Sequence, residues 1–165
     1  MTKPLVISGY ALCWNERACI QEGQGRFYEQ FLPGSFVDSI KKRNQTVRYS
    51  HMSSLDFASA EAGQLTLSED ERGLSFRIEL ENNNENSLLY NLVRDGQLSH
   101  VSVGFTNAKY KESKRGSKKF RLIQRADLVE ISIVENPAYK TSSVRVGCNN
   151  RQLELISKID KVLSR

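Results

Sequence analysis

Residues 98–110 read Leu-Ser-His-Val-Ser-Val-Gly-Phe-Thr-Asn-Ala-Lys-Tyr. Successive side chains of a strand point to opposite faces, so Val101, Val103 and Phe105 share one face and His100, Ser102, Gly104 and Thr106 the other. That alternation is the mark of a half-buried strand. Downstream, a basic turn containing Gly116 leads to a long run of strand over 120–134. Pro137 ends that run, since proline cannot donate to a central ladder. A short strand is expected over 141–146. Upstream, Leu74, Phe76, Ile78 and Leu80 also alternate strictly, and pair with 63–67 across the turn 68–73. Further strands are expected over 5–13 and 46–49, and the polar, glycine-containing residues 14–25 read as a loop.

Helical spacing is rarer. Phe36, Val37 and Ile40 predict a short helix over 34–43, its basic end (Lys41, Lys42, Arg43) suiting the helix dipole. Leu88, Leu89, Leu92 and Val93 fit one face of a second helix, which Gly96 stops. Beyond Gly147 the pattern changes. Leu155, Ile159 and Val162 form the stripe of an amphipathic C-terminal helix that packs on the domain or docks on a partner. The chain therefore divides into one domain over 1–147 and a short linker plus helix over 148–165. The fold class is α+β and β-rich, with about seven or eight strands and two or three peripheral helices. Connections are short, so pairing is mostly antiparallel, and a closed or nearly closed barrel is expected.

With 165 residues the chain supports one real hydrophobic core. No apolar run reaches the roughly 20 residues of a membrane helix, and the N-terminus has no signal-peptide pattern. Three cysteines at irregular spacing (Cys13, Cys19, Cys148) argue against a disulfide framework. They complete no zinc spacing with His51 and His100, so no metal or other cofactor is expected. A reducing cytoplasm fits. The net charge is +5. Much of the excess is Lys109, Lys111, Lys114, Arg115, Lys118, Lys119 and Arg121. Only Tyr110 and Phe120 interleave with these charges, at the two ends of the stretch, which favours a solvated hairpin tip over a nucleic-acid interface.

A hydroxyl nucleophile needs a neighbouring base, and histidine titrates near neutrality. The chain has two histidines. His51 follows the strand over 46–49, and His100 shares a strand face with Ser102. The surroundings of Ser102 lack the glycine-flanked elbow of an α/β-hydrolase. Glu130 interrupts the apolar run Leu128-Val-Glu-Ile-Ser-Ile-Val134. A carboxylate there is costly to bury unless paired. It orients a base histidine, or it faces water or pairs with Arg125.

Several motifs resemble those of one family. Glu29-Gln-Phe-Leu-Pro-Gly-Ser-Phe36 resembles "E-x-F-x-P-G-A-F", and Tyr49-Ser-His51 resembles a histidine motif. Gly63-Gln-Leu65 with Glu69-Asp-Glu-Arg-Gly-Leu74 resembles "G-x-L … E-D-x-x-G-L". Gly96-Gln-Leu98 with Val101-Ser-Val-Gly-Phe105 resembles "G-x-L … S-x-G-F". Leu128-Val-Glu-Ile-Ser-Ile-Val134 with Pro137-Ala-Tyr139 resembles "L-x-E-[IV]-S-[LIV]-V … P-A-x". In this order they resemble the tailed-bacteriophage prohead maturation proteases, relatives of the herpesvirus assembly proteases.

The resemblance implies a serine endopeptidase in the host bacterial cytoplasm, inside the assembling prohead. It implies cleavage of scaffold and capsid-protein segments, and often of the protease itself. By position it implies Ser102 as nucleophile and His51 as base. The third member falls at Glu130, where herpesvirus relatives use a second histidine; His100 is its rival. A homo-oligomer is compatible with the resemblance. Two departures stand out: Met52 replaces an acidic residue, and a usual glycine is replaced within Phe57-Ala-Ser-Ala60. An inactive scaffold-binding factor on the same fold is the alternative.

Overall fold

Alternating segments become sheet wherever one of their faces finds a core. The computed structural model describes residues 3–147. In chain order the elements are β1 (Leu5–Cys13), β2 (Arg17–Glu22), β3 (Gly25–Phe31), α1 (Val37–Ile40), β4 (Thr46–Tyr49) and β5 (Asp56–Ser59). Then come β6 (Leu65–Glu69), β7 (Gly73–Leu80), α2 (Asn84–Arg94), β8 (His100–Arg115), β9 (Lys118–Val134) and β10 (Ser143–Val146). The helix expected from Leu155, Ile159 and Val162 lies outside the described residues.

The strands form two sheets. One has the order β10-β1-β7-β6; the other runs β2-β3-β9-β4-β5, with β8 also paired to β9. Among the described residues the pairing leaves sheet edges, so the closed barrel expected from the sequence is not found. Pairing is antiparallel except where β9 meets β3 and β4, which are parallel to it. β9 organises the larger sheet. β8 runs along one edge, while β3 (opposite 119–123) and β4 (opposite 130–133) share the other.

The core joins both sheets. Leu74, Phe76, Ile78 and Leu80 of β7 are all buried, as their alternation predicts. They join Ile7 and Leu12 of β1 and Val101, Ile131 and Ile133 of the larger sheet in one cluster. Each such side chain contributes roughly 1.5–3 kcal/mol. Phe31, Phe36, Phe105 and Tyr139 add stacked and edge-to-face ring contacts. A register shift between Gly104 and Phe105 leaves Val129 as an extra residue in β9. The bulge changes which residues face inward, so Leu128, Ile131 and Ile133 are all buried while Val129 is exposed.

Several motif residues prove structural. Glu69 accepts the Phe36 N–H at 2.7 Å and so ties the β6–β7 hairpin to the chain before α1. Asp70 accepts the Tyr10 hydroxyl at 2.7 Å and the Arg72 and Gly73 N–H groups. Gly73 is required by close approach: a Cβ there would lie 2.1 Å from the Leu12 carbonyl oxygen.

Three expectations need correction. Residues 14–25 are not all loop, because β2 lies there. It is an edge strand that buries only Ala18, which leaves little hydrophobic signal. The helix over 34–43 shrinks to α1. Leu88, placed on the inner face of α2, is 63% exposed; Leu89 and Val93 are the residues buried there. The Asn83 side chain caps α2 by accepting the Asn86 N–H, and Gly96 with φ 74° ends it as expected.

Candidate active site

The site lies where β8, β9 and β4 run side by side. Ser102 stands opposite Ser132, and Gly104 stands opposite Glu130. Residues directly opposite share a sheet face. Ser102, Gly104, Glu130 and Ser132 therefore occupy one face, away from the core face of Val101, Ile131 and Ile133. On the other side of β9, Thr46 aligns with Glu130 and Arg48 with Ser132.

His51 reaches this face through a sharp turn after β4. Ser50 and His51 adopt φ of 47° and 61°, the left-handed region. Two such residues cost about 1–3 kcal/mol each unless the surroundings hold them. The hold is visible. Ser50 N–H donates to the Ile133 carbonyl at 3.1 Å, and His51 N–H donates to Ser132 Oγ at 3.1 Å. The turn thereby lays the imidazole on β9, with Nδ1 at 2.5 Å from Glu130 Oε1.

Glu130 is 5% exposed and lies in the mostly apolar C-terminal half of β9. Arg48 offsets its burial, with Nη1 at 3.0 Å from Glu130 Oε2. Arg48 is itself fixed by Asp56 of β5 at 2.7 Å. Arg125, the alternative partner, pairs with Asp38 instead. His100 is drawn elsewhere as well: its Nδ1 lies 3.0 Å from the Ser142 carbonyl. The fold thus brings His51 and Glu130 into direct contact on the face of Ser102 and turns His100 away.

A carboxylate only accepts hydrogen bonds, so the proton between this pair sits on Nδ1 and leaves Nε2 as an acceptor. Ser102 and Glu130 are diagonal cross-strand neighbours, about 7–8 Å apart in regular sheet. An imidazole seated on Glu130 spans such a gap. Ser102 makes no hydrogen bond to His51 among the described residues; nucleophile–base contacts are often loose without substrate.

Three contributors were not legible beforehand. Ser132 had a signal, since it alternates with Glu130 inside an apolar run. Arg48 had only its strand parity. Gly104 has no side chain, and the space this leaves belongs to Glu130. A Cβ on Gly104 would lie 2.5 Å from Glu130 Cγ and 2.7 Å from Oε1. Gly104→Ala is therefore expected to push the carboxylate off His51. A misplacement of this size costs about 10²-fold in rate. Steady-state kinetics should show the loss in kcat, with KM little changed.

No curated protein and no solved structure matches the chain. A protein-family model does, that of the caudovirus prohead serine proteases, over residues 2–158. With that match spanning nearly the whole sequence, the chain belongs to the caudovirus prohead serine protease family.

Proposed function

We propose that Ser102, His51 and Glu130 are the catalytic triad of an endopeptidase that processes scaffold and capsid-protein segments during prohead maturation. The observation that carries this reading is the 2.5 Å contact of His51 Nδ1 with buried Glu130, on the face that register assigns to Ser102. Ser102 Oγ attacks the scissile carbonyl carbon while His51 Nε2 takes its proton. Backbone N–H groups hold the oxyanion. The imidazolium then protonates the leaving amine, and an acyl-enzyme forms. Water attacks that ester with His51 again as base, which frees Ser102. Throughout, Glu130 keeps the ring in one tautomer and stabilises its charged form.

The protease domain comprises residues 1–147, with 148–165 as a separate C-terminal segment. The enzyme acts inside the assembling prohead in the host bacterial cytoplasm, on its capsid and scaffold partners and on its own chain. An inactive scaffold-binding factor would have no use for a histidine held in a left-handed turn against a buried carboxylate.

Labelling tests the assignment without knowledge of the substrate. A fluorophosphonate reagent should modify the wild-type chain once, on the peptide containing Ser102. His51→Ala should abolish labelling. Modification of a different serine, or equal labelling of His51→Ala, would overturn the triad.

A further inference from the structure

Glu29 belongs to a motif that the triad does not use. It is 6% exposed, and one of its oxygens accepts the Tyr139 hydroxyl at 2.8 Å. The other has no hydrogen-bond partner among the described residues. Burial pushes the carboxyl above its ordinary range, and the Tyr139 bond and Arg121 offset that only in part. Glu29 lines a cavity of about 330 Å³ whose wall also includes Ser102. Ile20, Phe27, Val103, Phe105 and Ile123 supply apolar walls. That volume lies within the range of small-ligand sites, roughly 300–1,000 Å³.

The charges in this cavity are uneven. Arg121 is engaged: it lies 3.2 Å from Glu22, and its guanidinium stacks 3.8 Å from the Phe27 ring centroid. The wall thus carries two carboxylates, Glu22 and Glu29, against one guanidinium, whose buried Nε has no hydrogen-bond partner among the described residues. Apolar walls with one carboxylate in excess suit a long aliphatic stem that ends in a cation.

The strand edge beside the cavity offers a way in. From Ser102 to Phe105, β8 pairs only with β9. Val101 N–H points away from β9, to Ser142 Oγ at 3.2 Å. The two-residue period sends Val103 N–H the same way, toward the unpaired edge. An extended peptide pairing there would place alternate side chains on the cavity side, beside Ser102.

We infer that this cavity is the specificity subsite of the protease, and that it receives a lysine or arginine side chain of an extended substrate against Glu29. The inference rests on the protease reading above. The test uses the full chain and a mixture of peptides prepared by cleavage after aromatic residues, so that lysine and arginine stay internal. Wild type and Ser102→Ala are compared, and the new termini are sequenced by mass spectrometry. Ser102-dependent cuts should be enriched about tenfold for Lys or Arg at one position within two residues of the scissile bond, the scale of one charge-assisted hydrogen bond. Glu29→Gln should bring that enrichment near background. Ser102-dependent cuts without basic enrichment overturn the inference and leave the protease standing; the wild-type profile alone decides this, however well Glu29→Gln folds. Enrichment that survives Glu29→Gln in folded protein also overturns it. Absence of any Ser102-dependent cut removes the protease reading, and the subsite with it.

Discussion

Ser102→Ala is expected to abolish peptide cleavage and to leave the domain folded. The expected loss in kcat is about 10⁶, the scale on which removal of a triad nucleophile acts. Stability should change little. The side chain is small, and its hydroxyl makes no hydrogen bond among the described residues, so its removal strands no partner. Circular dichroism and thermal melting of the variant should overlay the wild type, within the roughly 0.5 kcal/mol typical of substitutions away from packed or paired groups. Cleavage that persists at the wild-type rate would move the nucleophile elsewhere in the chain.

Glu130→Gln is expected to lower kcat by about 10⁴, as loss of a triad carboxylate does. A glutamine can turn its NH₂ toward His51 Nδ1, which must then accept and leaves the ring proton on Nε2. A ring in that tautomer cannot take the serine proton. The defect should fall on kcat rather than KM, because Glu130 acts through His51. Nitrogen NMR of His51 should report the tautomer change directly. The amide oxygen then faces Arg48, which also keeps Asp56 at 2.7 Å, so the variant should still fold. Near-normal kcat in Glu130→Gln would remove Glu130 from the triad and send the search to His100.

The strands that carry the site were legible because their apolar residues alternate. Val101, Val103 and Phe105 announced β8, and Leu74 to Leu80 announced β7. What stayed hidden is what local pattern does not encode. β2 is an edge strand with one buried residue, so it read as loop. The open arrangement of two sheets depends on which strands β9 recruits to its second edge, β3 along one half and β4 along the other. Such pairings join residues far apart in sequence, and periodicity is silent on them.

The site was legible in part for the same reason. Glu130 stood out as a carboxylate in an apolar strand, and His51 as a histidine just past a strand end. Their contact depends on the left-handed turn at Ser50 and His51, where no glycine marks the conformation. The work of Arg48 and Gly104 follows from parallel and antiparallel register against β9, which exists only once the sheet is assembled. Met52, a departure from the family pattern, is about half exposed and makes no side-chain hydrogen bond among the described residues.

The central claim, a Ser102-dependent protease acting on capsid components, is tested most directly by co-expression. The chain and its Ser102→Ala variant would each be produced with the capsid and scaffold proteins encoded beside it, and the products weighed by intact-mass spectrometry. Defined fragments of those partners in the wild-type culture, missing from the variant, are the predicted result. Intact partners in both cultures, with particles still assembling, would contradict the account.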